Sequence, residues 1–291
     1  MKLSSTELLE LRKVKIWEKN YIEKNQNKIL AKSGQFISNS LDKVSKASPE
    51  YVRKLSGKVT EATQTALVGC MDAGQDLVKY TYDKDKAVKR FKNDGVSSLK
   101  DLVKVDVSKL DELARGVVFE NKVAGGVEGF VMGLGDITAA IIDIPIFFTL
   151  TFRVMQQIAA IYGYDPEDPI EKLYMIKLLS FGTAVKTSGK IAIQAELQML
   201  RIAIKRFSFM KLEEIGGKYA VIIAARNVGK NVGKRLTRKT LLKGIPMVGG
   251  VFGGFFNYGF IKDIAEVANM MYKKRYLEDK LETEILFDSL A

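Results

Sequence analysis

Apolar residues recur at helical spacing along nearly the whole chain, and no run alternates as a half-buried strand would. The pattern predicts an all-α fold, a multi-helix bundle with two glycine-rich helical hairpins packed in its core. Over Thr6 to Lys32, residues Leu8, Leu11, Ile16, Tyr21, Ile22 and Ile29 fall near one face among many charges, which predicts a long amphipathic helix. "SPEYVRKL" opens another helix, with Ser48 as cap, Pro49 in the first turn and Glu50 beside the positive end of the dipole. A short basic helix over Asp83 to Asn93 ends in the turn signal "NDG", and Ser108 with Asp111 forms a capping-box pattern in "SKLDELARG". These elements divide the chain into an N-terminal amphipathic helix, 1–47, and a helical domain, 48–291, on which that helix packs.

Two segments depart from ordinary amphipathic patterning. "GGVEGFVMGLGDITAAIIDIPIFFTLTF" sets Gly125, Gly129 and Gly133 four apart, a smooth stripe that lets another backbone approach closely. "GIPMVGGVFGGFFNYGFI" repeats the device with Gly249 and Gly253, and with Gly250 and Gly254, and runs from Gly244 to Ile261 without a charge. Its length approaches the 20 or so residues of a transmembrane helix. Pro246, Asn257 and the glycines argue against spanning, and Glu128, Asp136 and Asp143 argue against it more strongly in the first segment. The expectation is buried helices, with hairpins dipping into one leaflet as the alternative. Pro145 removes an amide from the first segment's apolar helix and predicts a bend there.

Charge changes the picture next. Lys and Arg number 46 against 34 Asp and Glu, a formal net charge of +12 that favours anionic partners. The excess is segregated, with 14 basic and 3 acidic residues over 181–245. In "RNVGKNVGKRLTRKTLLKG", Arg226, Lys230, Lys234 and Arg238 recur every four residues as one cationic row, with Val228, Val232 and Leu236 opposite and Arg235 and Lys239 widening the positive side. Such a helix suits an anionic bilayer surface, each cation contributing about 1 kcal/mol. It leads straight into the uncharged run, where Phe252, Phe255 and Phe256 are the candidate apolar membrane contacts. A solvated charged face is the bland alternative. Nucleic acid is disfavoured, because no recognition module or interleaved aromatic pattern accompanies the charge. "GKNVGKR" has one residue too few between its glycines for a phosphate loop, and Arg235 stands where Ser or Thr is required.

The chain has no histidine and a single cysteine, Cys70. Those facts remove the commonest general base, the usual zinc ligand and every His-dependent nucleophile site. No cofactor or metal is expected, and Cys70 in "TALVGCMDAG" reads as a small buried hydrophobe. The weak catalytic candidates are carboxylates: Asp136 and Asp143, seven apart on one helix face, and Asp165 in a turn. Pairing with Lys or Arg, for instance Arg153, is the simpler role for the first two. The charged N-terminus "MKLSSTELLELRKVKIWEK" lacks a signal-peptide core, so the expected location is cytoplasmic and peripheral to the inner membrane.

"YGYDPEDPIEK" holds two of the five prolines. Gly163 suits a helix C-cap, Asp168 an N-cap, Pro169 the first helical position, and Glu171 completes a capping box. Tyr162, Tyr164 and Asp165 exceed what a turn needs and either anchor it to a neighbouring helix or line a pocket. This stretch, within "IAAIYGYDPEDPIEKLYMIKLL" and between the two glycine-rich segments, resembles the EcsC protein family over about residues 15–285. The resemblance implies a bacterial protein whose relatives occur beside the EcsA and EcsB components of an ABC transport system. It brings no catalytic residue or cofactor. The expected function is therefore a helical protein held peripherally at an anionic lipid surface, as an accessory of such a transporter. The alternative is a carboxylate-dependent, His-free hydrolase.

Overall fold

The computed structural model describes residues 3–23, 49–71, 83, 85–118, 137–184, 186–206, 221–233 and 249–290, and every regular element among them is helical. In chain order these are α1 (Ser5–Glu23), α2 (Pro49–Met71), α3 (Lys86–Arg90), α4 (107–118), α5 (Ile137–Ile161), α6 (Pro169–Thr183), α7 (Thr187–Arg206), α8 (221–233) and α9 (Gly249–Leu290). Two 3-10 turns, Lys92–Asp94 and Leu99–Lys104, connect α3 to α4. The all-α expectation is borne out.

Three helices make the interior. Around α5 and α6 apolar residues face every direction, as buried helices require; Phe148, Phe152, Met155, Leu178, Leu179 and Phe181 are completely enclosed. Each such side chain contributes roughly 1.5–3 kcal/mol through burial. Helix α9 packs against both, and also against α1. The outer helices complete the bundle, with α2 lying along α5 and α7 along α6. Cys70 is buried in the core, as its apolar setting predicts.

Local chemistry sets the α5–α6 corner. Gly163 takes a left-handed φ of 88°, and the amides of Gly163 and Tyr164 donate to the carbonyls of Ala160 and Ala159, both at 3.0 Å. That pair of bonds is a Schellman cap. A side chain at Gly163 would meet the Leu99 carbonyl oxygen at 2.8 Å, so glycine is required twice over. Asp168 then caps α6 by accepting from the Ile170 amide at 2.8 Å, with Pro169 in the first turn.

Several expectations need correction. The buried face of α1 is Glu7, Leu11, Val14, Glu18 and Ile22, whereas Leu8 and Ile16 point to solvent. The seam carries two glutamates because their partners are cations on α9. Glu171 is no part of a capping box, since the Asp168 amide donates instead to the Asp165 carbonyl at 3.1 Å. Ser108 is likewise not the cap of α4: Asp106 accepts from the Ser108 amide at 2.8 Å, while Asp111 is buried. The basic helix is shorter than predicted, ending at Arg90 before the 3-10 turn. Ser48, residues 24–32 of the first helix, the stripe Gly125, Gly129 and Gly133, and Gly244 to Val248 lie outside the described residues. From Gly249 onward the second glycine-rich segment forms the first turns of the 42-residue α9. Among the described residues no helix is long and apolar enough to cross a membrane.

Candidate functional site

Helix α8 carries the first half of the predicted cationic row. Arg226 and Lys230 are exposed, while Val228 and Val232 on the other side are buried. Two glycines bring α8 close against α2. A Cβ on Gly229 would lie 2.8 Å from the Gln64 Cα, and one on Gly233 would lie 2.7 Å from the Thr60 Cα. Backbone therefore rests on backbone where α8 crosses α2, and the Gln64 amide group donates to the Arg226 carbonyl at 3.1 Å. The glycines border the cationic row, and Val228 and Val232 lie opposite it. Ile223, 57% exposed, stands on the same outer side. Neither Arg226 nor Lys230 is ion-paired among the described residues.

Lys234, Arg235, Arg238 and Lys239 lie outside the described residues. Phe252, Phe255 and Phe256 fall on the helical backbone of α9, but their side chains lie outside what is described.

The carboxylate candidates are not brought together among the described residues. Asp136 lies outside them, and of Asp143 only the backbone, within α5, is described. Asp165 is exposed and accepts from the Glu167 amide at 3.0 Å, an Asx turn that shapes the corner. The Nε of Arg153 is buried without a hydrogen-bond partner. No group of three or more His, Cys, Asp or Glu is placed to hold a metal ion among the described residues.

Sequence reasoning missed a chain of buried ion pairs along α9, in "YKKRYLEDK". Lys273 bonds Glu10 at 3.1 Å and Asp111 at 3.2 Å; Lys274 bonds Glu18 at 2.6 Å; Lys280 bonds Glu7 at 2.6 Å. Arg275 meets both oxygens of Glu171, at 3.1 and 2.8 Å. Its guanidinium lies over two tyrosine rings, 3.8 Å from the Tyr164 ring centre and 4.7 Å from that of Tyr174. The Tyr272 hydroxyl donates to Glu171 at 2.5 Å. Burial pushes the Glu171 carboxyl above its usual range, against the pull of Arg275 and Tyr272. On the outer side, Arg201 joins Glu278 at 3.0 Å, Asp279 at 2.8 Å and Glu282. Every ion in this system has an opposite charge in contact, and the pairs tie α1, α4, α6 and α7 to α9.

The two surplus tyrosines of the corner belong to the same system. Tyr162 donates to Asn269 at 2.9 Å, and the Asn269 amide group donates to Asp111 at 3.0 Å. Tyr164 donates to Asp279 at 2.9 Å. They anchor the turn on α9, the first of the two roles the sequence leaves open for them.

Comparison with known proteins gives a match to the EcsC protein family over residues 9–277. The chain is 28% identical over 278 residues to a protein of Bacillus subtilis (strain 168) called "Uncharacterized protein YdbA", covering 94% of each. It is 21% identical over 238 residues to "Protein EcsC" of the same organism, covering 81% of this chain and 84% of the relative. No solved structure matches. With the family spanning all but the ends of the sequence, the chain belongs to the EcsC protein family.

Proposed function

We propose that this protein is a non-enzymatic, helical adaptor that docks peripherally on an anionic membrane surface on the cytoplasmic side, as an accessory of an EcsA/EcsB-type ABC transport system. The observation that carries the proposal is the outward placement of Arg226 and Lys230 on α8, opposite the buried Val228 and Val232. Cations so placed gain about 1 kcal/mol each near anionic lipid. The sequence continues the row through Lys234 and Arg238. Placement beside a transporter comes from the family resemblance alone. The carboxylate-hydrolase alternative gains nothing from Asp165, whose carboxylate shapes a turn.

Co-sedimentation with phosphatidylglycerol vesicles and with phosphatidylcholine vesicles, across a salt series, tests this reading. Binding to the anionic vesicles alone, weakening with salt and abolished by Arg226→Glu, Lys230→Glu, Lys234→Glu and Arg238→Glu together, is expected. Undiminished binding of that folded variant would remove the α8 row from the mechanism.

A further inference from the structure

Helix α1 sorts its charges. Of its four acids, Glu7, Glu10 and Glu18 bond Lys280, Lys273 and Lys274 of α9, and only Glu23 faces outward. The outward side keeps Arg12, Lys13, Lys15 and Lys19, all exposed. Lys13 reaches Glu10 at 2.8 Å, whereas Arg12, Lys15 and Lys19 make no ion pair among the described residues. Interleaved with these cations stand Leu8, Leu9 and Ile16, exposed by 51%, 50% and 54%. Helical geometry puts Leu9 and Ile16, seven apart, on one line, with Arg12 and Lys19 beside it. Solvation accounts for the cations, but neither solvation nor interior packing accounts for three large apolar side chains standing among them.

We infer that this outer face of α1 is a second docking surface for an anionic lipid bilayer, an inference that rests on the membrane reading above but uses a different helix. The helix lies in the headgroup plane, its cations on lipid phosphates and Leu8, Leu9 and Ile16 at the acyl boundary. Charge selects this occupant. A two-fold contact with a second copy through the same face would set Arg12, Lys13, Lys15 and Lys19 against their own counterparts. An anionic surface takes all four.

Trp17 is the only tryptophan, so a local reporter is available. Leu9→Trp in a Trp17→Phe background puts the fluorophore at the centre of the face, and vesicles of phosphatidylglycerol carrying brominated acyl chains quench it only on close approach. Quenching by anionic but not by neutral brominated vesicles is expected. Arg12→Glu, Lys15→Glu and Lys19→Glu together should weaken vesicle binding on the order of 100-fold. Anionic binding without quenching overturns the α1 assignment and leaves the α8 reading standing. Quenching and binding that persist undiminished in the α8 charge-reversed variant uphold α1 and remove α8 instead. No vesicle binding overturns both. Self-association in solution that disappears in Leu8→Ser, Leu9→Ser and Ile16→Ser, with no quenching, gives the face to a second copy and overturns the lipid assignment. If the α1 charge reversals prevent folding, the quenching experiment still decides, because it leaves every cation in place.

Discussion

Glu7 and Lys280 bond at 2.6 Å although 273 positions separate them in the chain, and their side chains are only 3% and 6% exposed. The second oxygen of Glu7 accepts from the Ser4 amide at 3.0 Å, while the Glu7 amide donates to the Ser4 hydroxyl at 3.1 Å. One carboxylate thus starts α1 as half of a capping box and docks it as half of a buried ion pair.

Breaking that pair on one side should be far worse than replacing both sides. Glu7→Ala leaves an uncompensated buried ammonium and should cost about 3–5 kcal/mol. Glu7→Leu combined with Lys280→Met removes both charges and should recover most of that loss. Urea denaturation of the two variants beside the parent checks this, and a double variant as unstable as the single one would refute it.

Gly229→Val and Gly233→Val should each destabilise the protein by about 1–3 kcal/mol, because the new side chain meets backbone that cannot give way. Lys230→Ala, at an exposed position of α8, should stay within about 0.5 kcal/mol of the parent. Thermal unfolding midpoints separate the two cases.

At the tyrosine-lined pair, Arg275→Met strands the Glu171 carboxylate and should cost about 3–5 kcal/mol. Tyr272→Phe removes one hydrogen bond to that carboxylate and should cost about 1–3 kcal/mol. Adding Glu171→Gln to Arg275→Met should restore part of the loss, and a denaturant series on the three variants measures it.

Acid should loosen the α1 seam. Bonds from Lys13, and then from Lys273, hold the Glu10 carboxyl below its ordinary value of 4.5 despite some burial. A depressed native value means the unfolded chain takes the proton first. The stabilisation is therefore complete above pH 4.5, declines as pH falls below it and is lost once the native carboxyl is protonated. Glu10→Gln should lower stability at neutral pH and flatten the fall in acid, as denaturation at pH 7, 4 and 3 would record.

How much of this was legible in the sequence depends on the distance over which each interaction acts. The cap residues Gly163, Asp168 and Pro169 work within a turn of their own positions, and their residue types alone identify them. Glu171 and Asp111 have the same local spacing as capping residues, but each is claimed by a partner far away: Arg275 lies 104 positions from Glu171. For α1 the apolar pattern pointed to Leu8 and Ile16, because a seam that includes Glu7 and Glu18 sends a weak hydrophobic signal. The usable trace was the regular spacing of Glu7, Leu11, Val14 and Glu18 on one line. On α8 the outward row of Arg226 and Lys230 could be read directly. Gly229 and Gly233 drew notice only as a failed phosphate loop, since no sequence pattern names the helix they press against.

The central position of α9 has a consequence for synthesis. Glu10 precedes its partner Lys273 by 263 residues, so during translation α1 emerges roughly 10–50 s before the helix that neutralises it. For that interval its acids, its cations and its apolar face are all available to whatever lies near the ribosome, and the bundle closes only after α9 has left the exit tunnel.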